Sequence, residues 1–333
     1  MKNLRHTPLA LIGCALVACG GAAKSELPPS PPAAPNASPA LDVPADKPAA
    51  APVADKPVAV PALPPITLSA GEASAMPKEL PTTKFIAPTA LQVIAADKAE
   101  SFVVKPEVKN WVPQTGAAHV HLILDNKPYK ALFDLKVPVT LGELAGGPLS
   151  EGEHTLVMFP SRMNHESVKS KGAISSVSFF VGKKSALSFD AKKGSLIFSR
   201  PKGEYKGDAA NHVLVDFQLL NIELGAGKYS VQVDVTGPGI DAPLTHTSTS
   251  FGAPLYLDGL RTGKYTVKTE LLGKDGKPVG GNWNSTTREI TINREAPSEP
   301  AHVHIDVPAP VASPDGPPKP PVGPIPKTMP AKR

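Results

Sequence analysis

The sequence predicts an all-β protein, with two β-sandwiches in tandem between two proline-rich flanks. Three observations predict it. Polar and apolar residues alternate in runs such as Tyr229-Ser230-Val231-Gln232-Val233-Asp234-Val235 and Glu289-Ile290-Thr291-Ile292, the period of a half-buried strand. No stretch keeps a helical period over three turns. The region from about 85 to 295 also matches itself when offset by 111 residues, which marks an internal duplication.

In that register Val104 meets Val215, Asn110 meets Asn221 and Gly116 meets Gly227. Leu144, Leu149, Gly152 and Thr155 meet Leu255, Leu260, Gly263 and Thr266, and Val181 meets Ile292. The first half carries strand patterns near 91–95, 102–111, 118–125, 129–134, 137–141, 153–160 and 174–182. The second repeats the order near 195–199, 212–222, 228–236, 244–251, 254–257, 264–272 and 286–293. Seven short strands in about 100 residues, separated by Gly, Pro and Asp turns, match an immunoglobulin-like count.

The flanks cannot build such a core. Of the 40 prolines, thirteen lie between Pro28 and Pro65 and twelve between Pro297 and Pro330. Segments of this kind bury too little apolar surface to offset the entropy of ordering, and they favour extended polyproline II. The expected organisation is therefore a leader at 1–18, a proline- and alanine-rich disordered tether at 19–84, and a first sandwich at 85–184. A second sandwich follows at 185–295, and a disordered tail at 296–333. As polyproline II at ~3.1 Å per residue, the roughly 40 residues of its Ala- and Pro-rich part, 24–65, reach roughly 130 Å at most.

The leader has Lys2 and Arg5 ahead of the apolar run Leu9–Ala18, which is too short to span a bilayer and has the length of a signal-peptide core. It ends in Leu16-Val17-Ala18-Cys19, which resembles the lipobox of bacterial lipoprotein precursors. The resemblance implies cleavage before Cys19 and acylation of its sulfur and new amine. Two or more acyl chains anchor stably where one does not. Gly20 follows the cysteine in place of Asp, which by the same resemblance implies transfer to the outer membrane of a Gram-negative cell envelope. The only two cysteines, Cys14 and Cys19, lie here, so the sandwiches are expected to fold without disulfides or thiolate metal sites.

Two further resemblances bear on the sandwiches. Leu260-Arg261-Thr262-Gly263-Lys264-Tyr265-Thr266-Val267 is similar to the tyrosine corner of immunoglobulin-like domains. The matching run of the first half is Leu149-Ser150-Glu151-Gly152-Glu153-His154-Thr155-Leu156, which puts His154 at the corner position. The first half also resembles bacterial exported domains with an HVHLILDN-like strand, here His119–Asn126, and an FPSR-x-x-HES loop, here Phe159–Ser167.

The histidines carry the candidate chemistry. With Val120, Leu122 and Leu124 turned to the core, His119 and His121 share the opposite face and are expected to point outward, about 7 Å apart along the strand. A third ligand from His165 or Glu166, or from Asp125, would complete a zinc or copper site. In the second half Ser230 and Gln232 replace the pair, so any such site belongs to the first sandwich. Without a metal, the pair is surface or interface polarity on a strand. His302 and His304 in the tail form a weaker pair. Arg162 and His154 are alternative residues for a pocket that takes an anionic or sugar ligand.

Other chemistry is not indicated. The chain lacks G-x-S-x-G, P-loop, HExxH and dinucleotide-binding patterns, and nothing marks a nucleophile in a Ser161, His154 and Asp134 set, so no catalysis and no organic cofactor are expected. The net charge is +5, with acids and bases interleaved and no basic, aromatic-studded stripe, which argues against nucleic acid. The expectation is a membrane-anchored, non-catalytic binding or structural module that meets an envelope protein or polymer. The rival reading is a zinc- or copper-binding lipoprotein using His119 and His121.

Overall fold

The computed structural model describes residues 64–298. The leader, Cys19, most of the tether, and the tail with His302 and His304 lie outside the described residues. The first sandwich is built from β2 to β9, preceded by a strand that it does not use. In chain order these are β1 (Thr67–Ala70), β2 (Thr82–Ala87), β3 (Val93–Ile94), α1 (Ala96–Ala99), β4 (Val103–Lys109), β5 (His119–Leu124), β6 (Lys130–Leu132), β7 (Val139–Thr140), α2 (Leu141–Ala145), β8 (Gly152–Ser161) and β9 (Ser175–Val181). The second comprises β10 (Ser195–Arg200), β11 (Gly203–Lys206), β12 (His212–Leu220), β13 (Ser230–Thr236), β14 (Leu244–Ser248), β15 (Leu255–Asp258), β16 (Gly263–Leu272) and β17 (Ser285–Asn293).

The two sandwiches repeat one topology. In the first, β2-β4-β7 faces β3-β9-β8-β5-β6; in the second, β10-β12-β15 faces β11-β17-β16-β13-β14. In each, a short strand near the start pairs in parallel with the last, β3 with β9 and β11 with β17. All fourteen strands expected from alternation are present. The duplication shows most clearly where the backbone leaves few choices. Asn110 and Asn221 sit at φ +56° and +53°, and Gly116 and Gly227 at +71° and +68°, values that suit Asn and Gly better than other residues. Leu144 and Leu255 agree only in sequence, since one lies in α2 and the other opens β15.

The corner motif is formed. The Tyr265 hydroxyl donates to the Pro238 carbonyl at 2.8 Å and accepts from the Arg261 amide at 2.7 Å. In the first sandwich His154 Nε2 reaches the Ser150 carbonyl at 2.9 Å, the same four-residue step back.

Three strands escaped the sequence reading, β1, β2 and β11, as did the short helices α1 and α2. The described part of the expected tether, 64–84, is corrected accordingly. β1 joins the edge of the second sandwich, pairing antiparallel with β15 from Thr67 opposite Asp258 to Ala70 opposite Leu255. The chain then crosses to the first sandwich, where Ser74 and Ala75 are tied to Glu166 and Arg162. The segment therefore stitches the two sandwiches together.

Each sandwich has its own core: Val120, Leu122, Leu124, Leu156, Met158 and Phe179 in the first, and Leu196, Phe198, Val215, Val233, Tyr265 and Ile290 in the second. A third apolar cluster lies on the outer faces between them. There Ile123, Tyr129, Val157 and Phe159 of the first meet Ile197, Leu220 and Trp283 of the second. This seam explains why every residue of β5 is buried. One face of the strand fills its own core and the other meets the neighbouring sandwich.

Candidate metal centre in the seam

The alternation of β5 sends His119 and His121 to the side opposite Val120 and Leu122, as expected, but not to solvent. They are only 1% and 0% exposed, because the second sandwich covers that face. The expected outward exposure is corrected: the pair points away from its own core and into the seam.

His165 joins them from the loop after β8. A turn closed by the His165 amide donating to the Arg162 carbonyl (2.9 Å) shapes the loop. Asn164 Oδ1 accepts from the Glu166 amide at 3.0 Å. His165 itself sits at φ +67°, a left-handed conformation that costs a non-glycine residue on the order of 1 kcal/mol and persists only when its surroundings enforce it.

The three rings converge on one point. His119 Nε2 lies 3.0 Å from both His121 Nε2 and His165 Nδ1, and His121 Nε2 lies 3.4 Å from His165 Nδ1. Among the described residues, these three form the cluster whose donor atoms could hold one metal ion. A tetrahedral ion with metal–nitrogen bonds of about 2.0–2.1 Å sets its nitrogen ligands about 3.3–3.4 Å apart.

Protons alone satisfy this geometry poorly. The Ala117 carbonyl, 3.0 Å from His119 Nδ1, can only accept, so Nδ1 carries the proton and Nε2 presents a lone pair. That single lone pair can take one proton, from His121 or from His165. The other close nitrogen then faces the His119 Nε2 lone pair with its own, also at 3.0 Å. A cation takes all three lone pairs at once.

The outer contacts suit ligation too. His121 Nδ1 lies 3.1 Å from Ser199 Oγ of the second sandwich. Metal-bound imidazoles usually hold their second nitrogen this way, which fixes tautomer and ring plane. Tyr129 stacks on His121 at 3.4 Å between centroids, and its hydroxyl is 3.2 Å from His165 Nδ1. That hydroxyl accepts from Arg200 Nε at 2.8 Å, which leaves its own proton to donate to His165 Nδ1 when no metal is bound. Burial, then the neighbouring His119, His165, Arg200 and Lys202, hold His121 well below the usual histidine range, and the neutral imidazole is the ligating form.

The remaining candidates are placed elsewhere. The Glu166 carboxylate accepts from the Ser74 amide at 3.1 Å and from the Ser74 hydroxyl, and it lies 3.6 Å from Arg162. It braces the loop that carries His165 and stands apart from the three-nitrogen cluster. Arg162 also donates to the carbonyls of Ser167 and Ala75. Asp125 Oδ2 bonds His154 Nδ1 at 2.7 Å, and Asp125 Oδ1 accepts from the Thr155 amide. Arg162 and His154 do not form the expected common pocket. They flank opposite ends of β8, about 26 Å apart at roughly 3.3 Å per residue.

His154 has an acceptor at each ring nitrogen, a carboxylate and a carbonyl. Burial disfavours its charged form, but the Asp125 hydrogen bond, the Ser150 carbonyl and the Asp125 charge outweigh it, and the pKa is raised above 6.5. A group with a raised folded pKa stabilises fully below the unfolded value and loses that contribution as pH climbs through the folded value. Urea unfolding at about pH 6 and about pH 8 should therefore show the wild type losing stability with rising pH. A His154→Gln variant should lose that slope, and an equal slope in both proteins refutes the assignment.

The tyrosine, the serine and the two cations around the cluster were missed by the sequence reading. Ser199 and Arg200 come from the second sandwich, 78 or more positions from His121, and no local pattern links them.

Strand order, parallel pairing and corner define the class: a tandem immunoglobulin-like β-sandwich protein. No protein-family model and no curated protein matches the chain. Among solved structures it is similar to the fibronectin(III)-like modules of CbhA from Clostridium thermocellum, at 11% identity over 64% of this chain and 94% of that one, with a TM-score of 0.21. It is also similar to the two tandem V-type regions of VCBP3, a v-region-containing chitin binding protein, at 9% identity over 65% and 100% of the chains and a TM-score of 0.19. A third likeness is to SGBP-B of the Bacteroides ovatus mixed-linkage glucan utilization locus, in complex with a mixed-linkage heptasaccharide, at 11% identity over 63% and 70% and a TM-score of 0.18.

Proposed function

We propose that this chain is a membrane-anchored envelope lipoprotein whose two fused sandwiches act as a non-catalytic metal-binding module. His119, His121 and His165 hold one zinc or copper ion in the seam. The observation that carries the metal reading is three ring nitrogens 3.0–3.4 Å apart with one of them held as a bare lone pair by a carbonyl. Three imidazoles suit zinc and copper. The ligands come from the first sandwich and the supporting hydroxyl from the second, so the ion would also brace the two against each other.

Anchoring rests on the sequence alone, with Cys19 carrying the acyl chains and the proline-rich segment acting as spacer to the outer membrane. Among the described residues no helix is long and apolar enough to cross a membrane. An envelope protein or polymer remains the proposed macromolecular partner.

Elemental analysis of the purified chain, after exposure to micromolar zinc or copper and gel filtration, tests the metal reading. About one ion per chain is expected in the wild type, falling below about a tenth in His121→Ala, whereas Glu166→Gln retains it. Absence of stoichiometric metal in the wild type overturns this reading and leaves the anchoring untouched. Incorporation of labelled fatty acid, abolished in Cys19→Ala, tests anchoring separately.

A further inference from the structure

On the far side of Tyr129 from the histidines lies a concentration of positive charge. Arg200 donates to the hydroxyls of Tyr129 (2.8 Å) and Tyr205 (3.2 Å). Lys202 Nζ donates to the Tyr129 carbonyl at 3.0 Å and sits 4.1 Å above the Tyr129 ring. Arg288 is buried, its guanidinium donating to the carbonyls of Phe198 and Ser199 and lying 4.6 Å from the Phe198 ring. Every partner is neutral. Among the described residues, none of the three makes an ion pair, although pairs such as Lys169–Asp216 and Arg162–Glu166 form elsewhere.

Three cations gathered without a carboxylate, Arg288 buried and Arg200 and Lys202 partly so, are costly. The strain registers on Lys202, which burial, then Arg200 and Arg288, pull down to about 8. Burial likewise brings Arg288 down to about 10.

Beside these groups opens a cavity of about 260 Å³, walled by Asn126, Pro128, Lys202, Thr286, Thr287 and Arg288. Its donors are only partly used. The ammonium of Lys202 has three protons and Arg288 has five, against one and two bonds made. Thr286 Oγ1 accepts from Asn126 Nδ2 at 2.7 Å, which leaves its hydroxyl proton to donate. Glu289 is also at the cavity edge, but it is exposed and paired with Lys264 at 2.9 Å.

We propose that this cleft binds a small phosphate-class oxyanion, held by Lys202 and Arg288 with the Thr286 hydroxyl. Planar guanidinium and point-charge ammonium together are the usual recognition set for a phosphate. At roughly 30 Å³ per water-sized volume, the space accommodates the phosphate and a substituent of several atoms. The site uses none of the three histidines, so it stands or falls independently of the metal.

Titration calorimetry on the full chain tests it with two probes, inorganic phosphate and glycerophosphoglycerol, the diester of an anionic lipid headgroup. Binding of either with Kd below about 1 mM is expected, weakened about tenfold or more in Lys202→Gln. That variant is the deciding one, because Arg288→Gln also uncovers two carbonyls; an unchanged melting temperature shows that Lys202→Gln still folds. Tighter binding of inorganic phosphate points to a soluble phosphate or monoester, and tighter binding of the diester to envelope lipid or polymer; both support the site. No binding of either probe at about 20 mM, or equal binding by Lys202→Gln, overturns it.

Discussion

Lys169→Met is expected to destabilise the protein by about 3–5 kcal/mol, because it leaves a carboxylate buried in the seam without its counter-charge. Lys169, on the loop after β8, pairs with Asp216 of β12, and their side chains are 5% and 0% exposed. Asp216 Oδ2 has no hydrogen-bond partner, so the lysine is the main compensation for that charge. The double replacement Lys169→Met with Asp216→Leu removes both charges together. A buried ion pair exchanged for apolar side chains of similar volume is often neutral or stabilising. Chemical denaturation should thus place the single variant far below the wild type and the double variant close to it. A single variant within about 1 kcal/mol of the wild type contradicts the buried pairing. The pair joins the two sandwiches, so the single change should also loosen the seam and make amide hydrogen exchange at β5 and β12 faster than in the parent.

Excess zinc is expected to raise the melting temperature by roughly 10 °C, with EDTA reversing the shift. A ligand that binds only the folded state stabilises it by about 2.7 kcal/mol at a hundredfold excess over Kd and about 4 kcal/mol at a thousandfold. For a folded region of this size each kcal/mol moves the transition by about 2–4 °C. His165→Asn removes one of three nitrogens and should abolish most of the shift. It should cost the metal-free protein little, since His165 is only partly buried and Asn tolerates its left-handed backbone. A zinc-independent melting temperature in the wild type would count directly against the cluster as a metal centre. The Ser199 contact makes a second distinction. Ser199→Ala should weaken metal binding about tenfold without abolishing it, the usual size of an outer-contact effect.

Much of the fold was legible because its information is local. Alternation at Val231, Val233 and Val235 reports one buried face and needs no partner to be recognised. The agreement of Asn110 with Asn221 and of Gly116 with Gly227 reports positive φ, a backbone demand met by few residue types. The corner at Tyr265 is likewise written in eight consecutive residues. β1, β2 and β11 were invisible because their pairing partners supply the reason for their being strands. Thr67–Ala70 is extended by the free edge of β15, almost two hundred positions away.

The candidate site divides along the same line. The sequence alone determined that His119 and His121 share one face of a strand, that His165 and Glu166 sit on the loop following the next long strand of that sheet, and that the second repeat lacks the pair. Those statements depend only on the two-residue period of a strand and on the register of the duplication. Tertiary structure decided that the histidine face is buried and that His165 completes the cluster while Glu166 turns to Ser74 and Arg162. It also decided that three unpaired cations gather behind Tyr129. The physical reason is that the seam forms between two outer faces whose residues carry no pattern for each other. Period tells a strand which side is its own core, and only packing tells it what covers the other side.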